Sequence, residues 1–488
     1  MTAFTGLDLA VLVVYMLGVT IWGAWLGRGQ TRASDYFLGS RSLPWWAVML
    51  SVVATETSTL TFLSIPGVSY LGTLTFLQIT VGYLLGRIVV AALLLPRYAQ
   101  GRLTTAYHLL EARFGVGTRR LTSGVFMGTR LLADSVRLFA TAIPLALITG
   151  WDYPVSILVI GLLTVIYTYM GGIRAVVWVD ALQMGLYLLG AVLAGWMLQG
   201  AVDGGWGAIL SQASAAGKLQ VLDLRLDFGV PYTLWGGIFG GAFLSMASHG
   251  TDQLIVQRLL TCRDLSSSRK ALVGSGVAVI GQFLVFLLLG LGLWVFYQGR
   301  PFDRSDEIFA RFIVEELPPG LTGLLIAGVF AAAMSSLSSS INALASASAY
   351  DFWAPRVGAE EDEERILRAG KGFTLLWSGL LVGGAVAFIP MSEGSTAVEV
   401  ALSIASLVYG GLLGAFVLGA AGSRADASSV RIGMLVGIAT VTLLWIRFPA
   451  AVSWPWYVPI GSGITVALGW GLGRGRALPE QAPDVPVP

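Results

Sequence analysis

Cysteine is all but missing: Cys262 stands alone, so no disulfide can form within the chain, and only two histidines, His108 and His249, occur in 488 residues. Thiol redox chemistry and a zinc site of ordinary ligand spacing are thereby excluded. Charge is scarce as well. Asp, Glu, Lys and Arg make up 12% of the chain, against about 25% in soluble domains. The formal net charge of +2 says little about partners, and neither nucleic acid nor an obligatory protein partner is expected. What is abundant is apolar surface, with 55% of residues hydrophobic. A soluble globule of this composition could not cover itself. Apolar runs long enough to cross a hydrocarbon core of about 30 Å recur from end to end, which predicts an all-α polytopic protein embedded in a lipid bilayer.

Cutting these runs at charged or Gly/Pro-rich punctuation gives about thirteen spanning helices, at 6–28, 46–70, 73–98, 120–149, 153–172, 174–200, 232–258, 270–298, 319–349, 372–391, 396–420, 430–447 and 453–473. The first, Leu7 to Leu26, has no basic stretch before it and no small-residue cleavage site after it, so it reads as a retained helix rather than a signal peptide. Alternate connections differ sharply in charge: one set carries 21 Lys and Arg, among them Arg28, Arg102, Arg119, Arg263, Arg365 and Arg474, and the other carries six, including Lys218 and Arg304. Basic loops stay cytoplasmic, so the N-terminus is expected outside and the C-terminus in the cytoplasm, with the chain in the plasma (inner) membrane. The acidic run Glu360–Glu364 lacks the glycine-punctuated spacing of a calcium loop and reads as a solvated connection. Residues 474–488 form a proline-bearing tail expected to be disordered.

Two polar segments interrupt the apolar text: Ala54-Thr55-Glu56-Thr57-Ser58-Thr59, and Ala331 to Ser340 with its five serines. Hydroxyls and carbonyls inside membrane-like sequence are costly to bury without a partner, and a hard cation is such a partner. In the second helix Pro66-Gly67 is the expected interruption, where a missing donor and a loosened backbone free carbonyls for a ligand. The seventh has a weak point at Gly236-Gly237 and Gly240-Gly241, which suits either unwinding or close helix packing. Five positions separate these two helices, as two five-helix units of opposite orientation would require. On a helix of 3.6 residues per turn, Ala332, Ser335, Ser336 and Ser339 share one stripe with Ser338 beside it. That stripe suits a small-residue helix contact or an ion site, and Asp180, an intramembrane carboxylate, favours the ion site.

With these residues in place, the chain resembles the sodium/solute symporter family, which includes bacterial proline, galactose and sialic acid transporters. The resemblance runs through Asp35–Arg41, Gly171–Asp180, Gly250–Gln253, the serine segment continuing to Asp351, and Tyr409–Gly414. It implies a leucine-transporter-like fold in one domain over 1–473: an extra helix at 6–28, inverted repeats at 46–200 and 232–420, and two further helices over 430–473. It also implies one or two sodium ions. A first site would use Ala54, Thr57, Ala332, Ser335 and Ser336, and a second, known in the sialic acid branch, would use Asp180, Ser335, Ser338 and Ser339.

For the solute, the candidates are Glu56, Ser58, Thr61, Phe76, Gln78 and Arg137. Arg130, Asp134 and Arg137 lie on one face of the fourth helix, which suits either a self-satisfied buried ion pair, with Asp134 bridging either arginine, or a solute site. One acid cannot neutralise two guanidiniums, which leaves Arg137 for a carboxylate held by its planar fork; an arginine on the corresponding helix binds the substrate carboxylate in the sialic acid branch. Arg87 either joins this pocket or, as the favoured expectation, packs or snorkels. The expected function is sodium-coupled import of a small organic solute, with proton coupling through Glu56 or Asp180, or a membrane sensor working with a separate signalling partner, as alternatives. No nucleophile, base and acid set suggests an enzyme.

Overall fold

Short polar caps fix where many of the helices begin. Thr5 Oγ1 accepts the backbone N–H of Asp8 at 3.3 Å while Asp8 Oδ2 accepts that of Thr5 at 2.9 Å, and the side chains of Asp252, Asp264, Asp362 and Asp426 cap later helices. The computed structural model describes residues 4–473 apart from 101–102, 303–304, 360, 392–396, 422–423 and 450. The tail from 474, Glu360, Arg102, Arg304, Arg474 and Arg476 therefore lie outside the described residues.

The first half comprises α1 (Gly6–Leu26), α2 (Ala33–Leu38), α3 (Trp45–Glu56), α4 (Thr59–Leu71), α5 (Leu77–Leu93), α6 (Leu95–Gln100), α7 (His108–Thr149), α8 (Tyr153–Ala201) and α9 (Gly205–Ala215). The second half comprises α10 (Gly241–Gly250), α11 (Gln253–Leu259), α12 (Leu265–Phe296), α13 (Ser305–Glu315), α14 (Leu321–Ala347), α15 (Ala354–Val357), α16 (Glu363–Phe388), α17 (Ala397–Ala420), α18 (Ala427–Arg447) and α19 (Tyr457–Leu472). Among the described residues, seven stretches are long and apolar enough to cross a membrane singly, and α3 with α4, bent by 63°, makes an eighth. Two expected spans, 153–172 and 174–200, lie within α8 on either side of Gly172, whose φ of +52° suits glycine. A Cβ there would meet the Tyr36 carbonyl oxygen at 2.5 Å. Expected to begin at 120, the fourth span starts earlier, with a head from His108 that turns at Gly115 (φ +76°). Helices α2, α9, α13 and α15 were not expected.

At the glycine pairs before α10 the chain does not unwind. Gly236–Gly240 form one wide helical turn continuous with α10, and the glycines let α5 approach: a Cβ on Gly82 would meet the Gly237 carbonyl oxygen at 2.2 Å, and one on Gly86 that of Ala242 at 2.3 Å. Close packing, not unwinding, is their role. The interruption in this span falls instead at Thr251–Asp252, where Asp252 is extended (φ −88°, ψ 124°) and α11 begins.

Gly290 of α12 is the tightest such crossing, since a Cβ there would lie 1.9 Å from the Pro66 carbonyl oxygen and 2.1 Å from Ser69 Oγ. Gly290→Ala is therefore expected to cost about 1–3 kcal/mol or more through overpacking, read as a lower melting temperature and less monodisperse protein on size exclusion. Gly281→Ala, one face away on the same helix with nothing within 4 Å, should be neutral; equal behaviour of the two would refute this account of the crossing.

Candidate functional site

The second span breaks at Thr57–Ser58, not at Pro66. Thr57 (φ −84°, ψ 94°) and Ser58 (φ −83°, ψ 169°) are extended, whereas α4 runs through Pro66. Proline removes one donor, but Ser69 Oγ, donating to the Pro66 carbonyl at 3.2 Å and to that of Leu287 at 2.6 Å, secures the following turn. Thr57 closes α3. Both its N–H and its hydroxyl donate to the Val53 carbonyl at 2.9 Å, and Gln282 Nε2 donates to its Oγ1 at 2.7 Å. Ser58 then accepts the N–H of Thr61 at 3.4 Å and starts a new helix. The last carbonyls of α3, from Ala54 on, are left without a helical donor.

Helix α14 crosses this break. Thr55 Oγ1 and Ser339 Oγ are 3.3 Å apart on one side of it, and Thr59 Oγ1 donates to the Val329 carbonyl at 3.1 Å on the other. These two bonds bracket the segments Ala54–Thr57 and Ala332–Ser336 and set them against each other. Ser336 Oγ donates to the Ala332 carbonyl at 3.1 Å, whereas Ser335 Oγ is buried with no hydrogen bond. The hydroxyls of Ser338 and Ser339 both donate to the Ser335 carbonyl, at 3.1 and 2.5 Å.

The residues of the second expected ion set are brought together, but a guanidinium is among them. Fully buried Asp180 accepts Ser51 Oγ at 2.6 Å and Arg258 Nη2 at 3.1 Å, both on Oδ2. Arg258, equally buried, also donates to Ser51 Oγ at 2.9 Å and to Ser339 Oγ. Ser335 Oγ lies beside the Asp180 carboxylate, and among the described residues neither it nor Asp180 Oδ1 has a partner in full hydrogen-bond geometry. Arg258 was not foreseen as part of this cluster; the hydrophobic run Leu254–Leu260 around it, in a chain with few charges, is the signal that such an arginine has a buried partner.

Next to the break lies a cavity of about 250 Å³ lined by Glu56, Ser58, Thr61, Phe76, Arg137 and His249 among others. Five of the six expected solute residues line it. Gln78 does not: its amide donates to the Thr75 and Tyr232 carbonyls at 3.2 and 2.9 Å and accepts the N–H of Asp223 at 3.1 Å, which spends it on pinning the connection between α9 and α10. Phe76 stacks on Phe283 with ring centroids 5.1 Å apart. Arg87 neither snorkels nor merely packs; it is fully buried and donates to Glu56 Oε2 and, at 2.8 Å, to Ser275 Oγ.

The arginine argument from sequence also needs correction. Arg130 pairs with Asp252, the cap of α11, and donates to the Tyr409 hydroxyl at 2.6 Å, while Asp134 bridges the two arginines, 3.5 Å from Arg130 Nη1 and 3.2 Å from Arg137 Nη1, and accepts Ser340 Oγ at 2.6 Å. Arg137 is not short of an acid. It remains the guanidinium on the cavity wall that uses one N–H on a carboxylate, with its side chain 22% exposed. Cys262, in the connection after α11, is buried, and burial pushes its thiol up to about 12, far from a reactive thiolate.

Comparison with known proteins places this arrangement among transporters. A model of the Sodium:solute symporter family matches residues 36–437. The chain is 31% identical to the Sodium/sialic acid symporter SiaT of Proteus mirabilis, with 96% of this chain and 94% of that protein covered. It is 30% identical to the Sodium/iodide cotransporter of Homo sapiens, covering 93% and 71%. A solved structure of the substrate-bound outward-open state of a Na+-coupled sialic acid symporter, described as revealing a novel Na+ site, superposes with a TM-score of 0.87 at 30% identity, covering 96% of this chain and 98% of that one.

Removing one member of the Asp180–Arg258 pair strands a buried charge, which costs about 3–5 kcal/mol. Asp180→Asn is expected to lower the melting temperature markedly, and adding Arg258→Gln to recover most of the loss. A double variant no more stable than the single one would show that the two side chains do not compensate each other.

Proposed function

This chain belongs to the sodium:solute symporter family, a sodium-coupled symporter of leucine-transporter-like fold, and on that premise we propose that it imports a small monoanionic carboxylate with sodium. The observation that carries the reading is charge balance. Around the cavity, Arg87 meets Glu56, Arg130 meets Asp252 and Arg137 meets Asp134, so three acids offset three guanidiniums. The first ion set, Ala54, Thr57, Ala332, Ser335 and Ser336, is uncharged. A sodium ion entering it adds one positive charge in a low-dielectric setting, and a monoanion beside it restores neutrality. Arg137 offers such an anion a planar pair of donors, with Ser58, Thr61 and Phe76 shaping the remainder of the wall. Supporting this, the two relatives above are named for carrying an acid and an anion, sialic acid and iodide.

Ion and solute then favour the same state, so each raises the affinity for the other. Inward sodium movement supplies about 2.3 kcal/mol per charge for each 100 mV. The second set, Asp180, Ser335, Ser338 and Ser339, takes a sodium only when Arg258 withdraws from Asp180. The discontinuities at Thr57–Ser58 and Thr251–Asp252 are where the second and seventh spans flex, and their spacing supports the inverted repeats at 46–200 and 232–420. The one-sided distribution of basic residues supports the plasma (inner) membrane orientation with N-terminus outside and C-terminus cytoplasmic.

Uptake into sealed vesicles tests the reading. An inward sodium gradient should drive accumulation of an acid substrate, and full uptake after replacing sodium with choline at fixed pH would overturn sodium coupling. Ser336→Ala is expected to raise the half-saturating sodium concentration several-fold, with an unchanged value counting against the first ion set. Arg137→Lys should raise KM for an acid by about tenfold, as loss of a paired charge-assisted bond does, without lowering protein abundance; a collapse in abundance would assign Arg137 to folding instead.

A further inference from the structure

The connection between α9 and α10 carries an apolar face open to its surroundings. Residues 220–227 belong to no helix, and Leu222, Leu224, Leu226 and Phe228 recur at every second position, the period of an extended chain with one apolar side. Phe228 rests its ring on Trp456, with centroids 4.7 Å apart, but the three leucines stand outside the packed core at 59, 66 and 67% exposure. The polar groups between them satisfy one another: Arg225 donates to Asp223 from Nη2 at 2.6 Å and from Nε at 3.0 Å, and Asp227 accepts the N–H of Gly229 at 2.8 Å. The segment is also held in place. Asp223 donates its N–H to Gln78 Oε1 at 3.1 Å and accepts that of Leu234 at 2.6 Å, while the Phe228 carbonyl accepts the N–H and hydroxyl of Ser453 at 2.7 and 2.9 Å.

These bonds fix its level. Gln78 stands in the first turn of α5, and Trp235 directly precedes the wide turn that leads into α10, so a segment bonded to both lies where two spans begin. Trp235 Nε1 donates to the Leu224 carbonyl at 3.3 Å. Its ring stacks on that of Phe239 with centroids 6.3 Å apart, and the two are 41 and 50% exposed. The exposed side of a span faces lipid, and an indole with one polar edge suits the boundary between water and lipid. Through Trp235, then, the leucine face continues the lipid-facing surface of the seventh span.

We propose that this segment lies in the interfacial layer of the outer leaflet, with Leu222, Leu224 and Leu226 among the upper acyl chains. The occupant is phospholipid without headgroup selection. Asp223 balances Arg225, residues 221–235 contain no lysine, and Lys218 spends its ammonium on the Tyr70 and Gly72 carbonyls at 2.8 and 2.9 Å. A second copy of the chain covering the leucines would have to displace lipid from the adjoining aromatic pair. The leaflet follows from the orientation proposed above; the immersion does not depend on it.

Single cysteines introduced into the full chain carrying Cys262→Ala, each labelled with an environment-sensitive fluorophore and reconstituted in phosphatidylcholine vesicles, test this. Labels at Leu224→Cys and Leu226→Cys should be quenched several-fold more strongly by phosphatidylcholine spin-labelled near the glycerol end of its chains than a label at Arg225→Cys, and their emission should lie to the blue of it. Acrylamide dissolved in the water should quench in the reverse order. Leu85→Cys, on the exposed side of α5, calibrates contact with lipid. If Leu224→Cys does not fold, Leu222→Cys takes its place beside Leu226→Cys. Labels on the leucine face that acrylamide reaches as readily as the one at Arg225→Cys would overturn the proposal. Labels shielded from both quenchers would overturn it too, and a cross-link between two Leu224→Cys chains would then give the face to a second copy.

Discussion

The constraint on which this structure turns is that a helical membrane protein has few backbone oxygens to spare. Within the bilayer each backbone carbonyl is normally consumed by a helical N–H, because leaving it unpaired costs several kcal/mol. Oxygens become available only where a helix stops. At Thr57 and Ser58 the backbone turns extended, and the carbonyl of Val53 takes the last helical N–H of α3. The carbonyls that follow are then free at the level where α14 brings its serines. The serines of α14 meet the same constraint in another way: most of their hydroxyls fold back onto their own helix, and Ser335 is the one left over. An unsatisfied buried hydroxyl is a cost unless a ligand relieves it.

Charge is handled by pairing. Each of four buried arginines meets an acid from another element: Arg87 meets Glu56, Arg130 meets Asp252, Arg119 meets Asp351 at 2.8 Å and Arg258 meets Asp180, and Arg130 and Arg119 also reach Asp134 and Glu111 of their own helix. Such pairs add little net stability, but they tie α3 to α5, α7 to α11, α7 to the segment after α14, and α11 to α8. The short helix α11 is a junction among these ties. It presents Leu254 and Ile255 to the cavity, while Gln257 donates to the Phe37 carbonyl at 2.8 Å and to Asn342 at 2.7 Å, and Arg258 reaches Asp180. A solute pressing on the cavity wall therefore presses on the same short helix that balances Asp180, and that gives ion and solute a physical route to influence each other.

Much of this was legible in the sequence, and the exceptions share a cause. Apolar runs and punctuation located the long apolar helices, and hydroxyl-rich text marked the two segments that the structure sets against each other, because burial and polar cost act on composition directly. The positions of the helix breaks were misread. Pro66-Gly67 carries the usual helix-breaking signal, yet Ser69 holds that turn through bonds to the Pro66 and Leu287 carbonyls, while the break at Thr57–Ser58 falls where no proline or glycine marks it. Long-range pairing was also out of reach: nothing near Arg130 in the chain announces Asp252, and nothing near Arg258 announces Asp180. The argument that left Arg137 without an acid failed for that reason. Gln78 failed similarly, since its polarity is spent on a connection more than a hundred residues away. His249, one of two histidines, was visible as a rarity but not as a neighbour of Glu56.

The central claim is that the freed carbonyls of α3 and the serines of α14 together hold sodium. Equilibrium binding of radiolabelled sodium to the purified protein measures it without any solute or membrane. Saturable binding is predicted for the native protein, falling to background when Ser335 and Ser336 are both replaced by alanine while the melting temperature holds. Undiminished sodium binding in that folded double variant would contradict the account.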